Sequence, residues 1–328
     1  MNIVYSSSDS YALVAGISMY SLLVNHQDVD ELHIFCIDNR ISTDNKKKLT
    51  QTCSDFGRRL EFIPMTDIEA IVGHSIDIGR WNISTFARLF YGSLLPSDVD
   101  KVLHIDCDTM ILSSLQPLWD MDMGEAIVAG TLEAIGDNYK KEIGLKPADV
   151  YLQAGNIMLN LAKIREKRVE DRFKEYMGNA EHLSFVDQAV LNACLSNQEK
   201  MVVDFRYNLY SLAFYLTYPN MRRARRISHY YTEQEVCDAV KNPCVVHFTT
   251  CFMDGTRPWM EKNRHPLLPV YLEYKKNSKW TESPLWKDQR SVFRKVLIRM
   301  CRILPQRMVA EMVGFVHNVV LPMLHRLT

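Results

Sequence analysis

Lys101-Val102-Leu103-His104-Ile105-Asp106-Cys107-Asp108 decides how the chain is read. Val102, Leu103 and Ile105 form a short apolar run of residue types that suit a strand. The run stops at two carboxylates spaced two apart. Side chains at i and i+2 of a strand project to one side, so Asp106 and Asp108 can converge on one cation. In an open α/β sheet, ligands gather at the carboxyl ends of the strands. Asp-x-Asp is also common in turns, and the pair taken alone fits either use.

The surrounding sequence supplies the sheet. Ile3-Val4-Tyr5 predicts a first strand, followed by a polar turn over 6–10. Leu13, Ile17, Tyr20, Leu23 and Val24 recur at helical spacing over 11–24. A strand over 32–37, a helix over 42–53 capped by Ser42 or Thr43, and a strand over 60–63 come next. This β-α-β-α-β order implies a mostly parallel sheet covered by helices. Further on, a helix is expected over 84–95, ending before Pro96. Strands are expected over 126–129, 157–161 and 245–248, and a helix over 185–195.

Composition narrows the function. The chain has 328 residues, 47% apolar and 24% charged, enough for one large domain or two smaller ones and unlike a disordered or collagen-like chain. Lys+Arg and Asp+Glu are both 39, which argues against a general nucleic-acid binder. No GxGxxG follows the first strand, which argues against a nicotinamide-dependent oxidoreductase. Eight cysteines lie scattered without CxxC pairs and read as reduced thiols. Cys244 and Cys251 flank His247, but at no common zinc spacing. The N-terminus reads as a strand and not as a leader, and no 18-residue apolar run occurs. A cytoplasmic protein is expected.

Charge is uneven. Residues 287–328 hold eight Lys and Arg against Asp288 and Glu311, a net +6, so the remainder carries −6. From Val292, the apolar residues Phe293, Val296, Leu297, Met300, Ile303 and Leu304 share a stripe of about 140° with it. Arg294, Lys295, Arg299 and Arg302 lie opposite. Pro305 breaks the pattern, and a second apolar segment runs over 308–327. Such a tail either packs on the body of the protein or a partner subunit, or lies on an anionic membrane surface. We expect a catalytic domain over 1–280 and a basic amphipathic helical tail over 281–328.

Six ordered motifs resemble family 8 glycosyltransferases, a family that includes bacterial lipooligosaccharide galactosyl- and glucosyltransferases and is related to glycogenin. They are Asp106-Cys107-Asp108 with its lead-in; Ser84-Thr85-Phe86-Ala87-Arg88-Leu89; Ser114-Leu115-Gln116-Pro117-Leu118-Trp119-Asp120; Gln153-Ala154-Gly155-Asn156 with the apolar run after it; Asp187-Gln188-Ala189-Val190-Leu191-Asn192; and His247-Phe248 with Arg257-Pro258-Trp259. Together they cover roughly residues 1–260.

The resemblance implies a GT-A fold, an α/β Rossmann-like architecture, and retaining transfer from a nucleotide sugar. It implies that Asp106, Asp108 and His247 hold Mn²⁺ or Mg²⁺ on the diphosphate. Arg88 would contact the donor, and Ser6, Ser8, Asp9 and Tyr11 would receive the nucleoside, with Tyr11 stacking on the base. Cys107, Ala154 and Gly155 would line the donor site. Asp187 would take a sugar hydroxyl, although an acidic residue there also suits a helix start. Gln188 would sit on the β face of the anomeric carbon. Departures from the family pattern are Ser8-Asp9 in place of two acidic residues, Gln153 for asparagine, Glu133 for aspartate and Arg257 for the diphosphate lysine. The stretch between His247 and Arg257 is longer than in some members and is expected to form a different lid or acceptor wall. The expected activity is transfer of glucose or galactose from UDP-glucose or UDP-galactose to a glycan or lipid-linked acceptor of a bacterial surface polysaccharide. The tail would serve as a peripheral contact with an anionic membrane on its cytoplasmic face. A catalytically degenerate sugar-nucleotide or glycan-binding protein of the same fold is the alternative.

Overall fold

A computed structural model of the chain describes residues 1–65, 83–179 and 186–320. Its strands are β1 (Asn2–Ser8), β2 (His33–Asn39), β3 (Arg59–Pro64), β4 (Lys101–Ile105), β5 (Thr109–Ile111), β6 (Val128–Leu132), β7 (Leu152–Asn160), β8 (Lys200–Val202), β9 (Leu209–Tyr210) and β10 (Val245–His247). The helices that matter for the site are α1 (Ala12–Val24), α2 (Thr43–Ser54), α3 (Val186–Cys194), α4 (Tyr218–Arg225), α5 (Val292–Ile303) and α6 (Gln306–Phe315).

Seven strands form one sheet in the order β3-β2-β1-β4-β7-β6-β8. β7 pairs antiparallel with both neighbours, and every other pairing in the sheet is parallel. Burial explains the apolar runs at its centre. Ile3 and Tyr5 face the cluster under α1, while Val4 faces the opposite cluster with Phe35 and Phe86. A strand covered on both faces needs apolar residues at consecutive positions. A second sheet, β5-β10-β9, extends from the end of β4. β10 runs antiparallel to β5 and opposes His247 to Thr109.

The Ser42 hydroxyl caps α2 by accepting from Asn45 N, as the sequence predicts. Several expectations shift. β1 continues through the serines to Ser8, because the main chain keeps pairing with β2 as far as Asn39. Residues 83–90 form a 3₁₀ helix, and only Tyr91–Leu94 is α-helical. β7 begins at Leu152, so Gln153, Ala154 and Gly155 are strand residues. Phe185, expected to open a helix, lies outside the described residues, as do 321–328 of the second apolar tail segment.

The tail runs along the body with one face inward. On α5, Ile298 is buried, and Arg302 donates to Met253 O at 2.7 Å and pairs with Asp254 at 3.4 Å. Lys295 pairs with Asp288 at 3.5 Å. The apolar stripe faces the solvent: Val292 and Phe293 are 77% exposed and Ile303 76%. α6 buries Val309, Ala310 and Gly314 and exposes Met308, Met312 and Phe315. Among the described residues no helix is long and apolar enough to cross a membrane. All eight thiols are free.

Candidate active site

Where β4 ends, Asp106 and Asp108 meet His247 of β10. One ligand atom from each lies within 4.8 Å of the other two. His247 Nε2 is 3.1 Å from Asp108 Oδ1 and 3.8 Å from Asp106 Oδ2. Its Nδ1 is 3.1 Å from Asn208 Oδ1. An amide oxygen accepts only, so Nδ1 carries a proton, and Nε2 is the ring atom that faces the carboxylates. Burial works against a charged ring, but Asp108 favours a proton on Nε2 and raises the His247 pKa. Asn208 is held in turn: it accepts from Asn156 Nδ2 at 2.8 Å and donates to Gln153 Oε1 at 2.5 Å. Gln153 Oε1 also accepts from Gly155 N at 2.6 Å. A Cβ on Gly155 would lie 2.5 Å from the His247 ring and 2.6 Å from Asp106 Oδ2, so glycine at this place keeps the cluster open. Two carboxylates and an imidazole whose Nε2 proton a cation can displace, in a glycine-lined cradle, fit a divalent cation such as Mn²⁺.

Electrostatics hold both carboxylates charged. Burial would raise Asp106, but Arg88 at 2.8 Å and the His104 hydrogen bond at 3.1 Å keep it below the usual range. Burial likewise works against Asp108, and His247 and then Arg257 overcome it. His104 is neutral: burial and then Arg88 draw its pKa down to about 4. Its Nδ1 therefore accepts from Tyr91 OH at 2.8 Å, while its Nε2–H donates to Asp106.

Arg88 spends its N–H groups inside the protein, on Thr85 O, Ala154 O, Asp106 and Asp187. It ties the end of β4 to the start of α3. There, burial pushes the Asp187 carboxyl up to about 6 against the pull of Arg88 at 3.0 Å. Gln188 Oε1 accepts from Ala154 N at 3.1 Å. Asn192, one turn on, fixes α3 to β7 through both the N–H and the carbonyl of Leu152. The spacing of Asp187, Gln188 and Asn192 thus has a structural cause as well as a chemical one.

A cavity of about 690 Å³ joins these groups. Among its lining residues, Tyr11 adjoins Arg257 and Asp108, Gln188 adjoins Ala154, and Arg225 adjoins Gly136 and Asn318, three groupings that stand apart in their contacts; Ser6, Ser8, Gln153, Glu133, Asp187 and His317 also line it. Arg257 Nη1 bridges Tyr11 OH and Asp108, each at 2.7 Å. Tyr11 makes T-shaped contacts with Trp259 and Trp286. Thr249, Thr250 and Cys251 line the wall after His247.

One predicted residue points elsewhere. The Asp9 carboxylate accepts from Ser42 N and Asn45 Nδ2, both at 2.8 Å, and belongs to the start of α2. Cys107 lines the cavity as expected, its thiol donating to Ser6 O at 3.1 Å, and burial pushes its pKa far up. Sequence reasoning missed Asn208, Arg225 and His317. Asn208 stands in no recognisable motif, and the other two reach the cavity only through the packing of α4 and α6.

The comparisons agree with this geometry. The family model described as glycosyl transferase family 8 matches residues 2–263. General stress protein A of Bacillus subtilis is 26% identical over 284 residues, 85% of this chain and 94% of that protein. The lipopolysaccharide 1,3-galactosyltransferase of Salmonella typhimurium is 23% identical over 297 residues, 87% of this chain and 80% of that one. The lipopolysaccharide 1,2-glucosyltransferase of Escherichia coli is 19% identical over 307 residues, 89% and 82% of the two chains. The crystal structure of the galactosyltransferase LgtC with donor and acceptor sugar analogues superimposes with a TM-score of 0.68 at 23% identity, covering 85% of this chain and 96% of that one. The sheet is therefore that of the GT-A fold, and the family match spans most of the chain: this protein belongs to glycosyl transferase family 8 and is a glycosyltransferase.

Proposed function

We propose that this protein is a metal-dependent, retaining hexosyltransferase. It moves glucose or galactose from UDP to a glycan or lipid-linked acceptor, making an α linkage in a bacterial surface polysaccharide. One arrangement carries the reading: the Asp106, Asp108 and His247 cluster opens into the same cavity as the Gln188 amide. Sequence relatives named as lipopolysaccharide galactosyl- and glucosyltransferases support the choice of hexose.

Asp106, Asp108 and His247 would hold Mn²⁺, or Mg²⁺ in its place. The metal supplies Lewis acidity that offsets charge on the departing diphosphate. Arg257 adds a second cation beside it, with a forked geometry suited to phosphate. Ser6, Ser8 and Tyr11 receive the uridine, Tyr11 by stacking. Asp187 takes a sugar hydroxyl, with Glu133 and Gln153 close by. Gln188 carries no charge and is a poor nucleophile. Its carbonyl oxygen instead stabilises positive charge at the anomeric carbon as the bond to diphosphate breaks. The acceptor hydroxyl bonds to that carbon on the face of departure, and its proton passes to an oxygen of the leaving diphosphate.

We also assign the enzyme a peripheral seat on the cytoplasmic face of an anionic membrane. The outward apolar stripe of α5 supports this, with Arg294, Arg299 and Arg307 exposed around it. Each cation near such a surface contributes about 1 kcal/mol.

The test is turnover of UDP-glucose and UDP-galactose with Mn²⁺, followed by NMR of the product. Retention of the α configuration and loss of turnover with a chelator are expected. A β-linked product, or turnover that resists the chelator, would overturn the reading.

A further inference from the structure

We propose that the end of the cavity lined by Arg225 and His317 is the acceptor subsite, and that the C-terminal tail builds it. The assignment rests on the donor reading above, which gives the nucleotide to the Tyr11 end and the transferred hexose to the middle.

The tail reaches this cavity through a fixed contact. Asn318 is 3% exposed, and its Nδ2 donates to Gly314 O at 2.9 Å. Its carbonyl accepts from Asn138 Nδ2 at 2.6 Å. A Cβ on Gly136 would lie 1.7 Å from Asn318 Oδ1 and 2.9 Å from Arg225 O, so glycine lets three segments meet here. Asn318 is thus a positioning residue, and His317 beside it faces the cavity. Arg225 comes from the last turn of α4, the helix on which α6 packs.

The chemistry of this end suits a polyhydroxylated ligand. Among the described residues no carboxylate lies within ion-pair distance of Arg225, and its Nε is buried without a hydrogen-bond partner. Buried donors left without acceptors are costly, so such a group signals a missing partner nearby. His317 stays neutral, because burial and then Arg225 draw its pKa down to about 4. A neutral imidazole both donates and accepts, as a sugar hydroxyl requires. Glu133 adds a carboxylate toward the middle of the cavity. In the donor reading, the transferred hexose is already served by Asp187 and Gln188. A second set of hydroxyl-binding groups beyond Gln188 therefore serves a second sugar, the hexopyranosyl end of the acceptor.

The experiment uses the full chain with Mn²⁺ and the UDP-hexose it turns over, and octyl β-lactoside and octyl β-glucoside as acceptor probes. His317→Ala and Arg225→Gln are each expected to lower kcat/KM for the acceptor at least about tenfold, the scale of one lost hydrogen bond to a hydroxyl. The donor KM should move less than twofold, and His317→Gln should recover part of the loss. Retained thermal stabilisation by UDP with Mn²⁺ identifies variants that fold. Acceptor and donor KM moving together, or neither moving, would overturn the assignment. So would a wild type that turns over donor but neither glycosylates nor, by saturation-transfer NMR, binds either probe. Absence of any donor turnover would instead strike the donor reading, and glycoside binding lost in the variants would still support the subsite.

Discussion

At the Tyr11 end of the cavity, Asp106, Asp108 and His247 sit at strand ends and arrive already paired: Asp106 with Arg88, Asp108 with His247 and Arg257. At the His317 end, Arg225 and His317 come from helix ends, and neither shows an ion pair among the described residues. The difference suits the roles proposed for the two ends. A site that binds one diphosphate and one cation gains from dipoles fixed in advance, since nothing then reorganises during the reaction. A wall that meets a longer glycan needs shape and hydroxyl partners more than charge.

Breaking the paired end should give the largest effect. Asp108→Asn removes one carboxylate of the proposed cation site and the partner of both His247 and Arg257. We expect turnover of the UDP-hexose to fall at least about 100-fold, in line with losing a main electrostatic contribution. Steady-state rates over a range of Mn²⁺ would check it, and a loss under tenfold would mean that Asp108 is no ligand.

The second effect belongs to an aromatic hub packed behind His247. The His265 ring packs against Phe214, Tyr215 and Phe248, the residue after His247. Burial, opposed by Asp254, draws its pKa down to about 4. An unfolded histidine titrates near 6.5. Between these values the unfolded chain binds more protons than the folded one, so stability falls as pH drops from 6.5 toward 4. His265 should account for ~2–3 kcal/mol of that loss. Urea unfolding across this range should show a flatter pH dependence in His265→Phe, by about one proton. An unchanged slope would show that His265 does not set it.

The two ends also differ in how far they could be read from sequence. β1, β2 and β4 were legible because a strand buried on both faces leaves an unbroken apolar run. Asp106 and Asp108 were legible because they end such a run. β5, β8 and β9 are two or three residues long, too short to show a period. The 3₁₀ geometry of 83–90 shares its apolar spacing with an α-helix and could not be told from it. Asn208 was invisible because its role depends on partners 39 and 55 positions away. The amphipathic stripe of α5 was plain, but periodicity says which residues share a face and not which way that face turns. Here the polar side meets the protein, through Arg302 on Asp254 and Lys295 on Asp288.

A finer contrast lies in the middle of the cavity. Gln153 and Glu133 both depart from the family pattern, and both were expected near the sugar. Gln153 instead spends its Oε1 on Gly155 N and Asn208, the residue that orients His247. Gln153→Asn is one methylene shorter and should weaken Mn²⁺ affinity about tenfold, as loss of an outer-shell partner does. Glu133→Asp should leave Mn²⁺ affinity alone and change the preference between UDP-glucose and UDP-galactose by a few-fold, since the missing reach affects a hydroxyl contact. Titration of Mn²⁺ with both variants would separate the two roles, and matching losses of affinity would merge them.

The smallest effect on the fold should come from the outer face of the tail. Phe293 and Ile303 are three-quarters exposed, so Phe293→Glu with Ile303→Glu removes little buried surface and should shift stability by no more than about 0.5 kcal/mol per site. On a membrane the same changes act at the point of contact. They replace apolar insertion with two anions facing anionic headgroups, and they oppose Arg294 and Arg299 nearby. The wild type is expected to float with phosphatidylcholine vesicles containing phosphatidylglycerol at low salt. It should float less in high salt, where the attraction of the exposed cations is screened. The double variant should stay in the bottom fraction at both salt levels. A charge-only contact would be lost in salt by the wild type and little altered in Phe293→Ser with Ile303→Ser, which removes the apolar side chains without adding charge. A purely apolar contact would ignore salt. A wild type that never floats, and is a dimer by light scattering where the double variant is a monomer, would give this face to a second copy of the chain. The direction of the α5 stripe makes the outcomes separable, because the side chains that would touch lipid or a second subunit hold nothing in place within the protein itself.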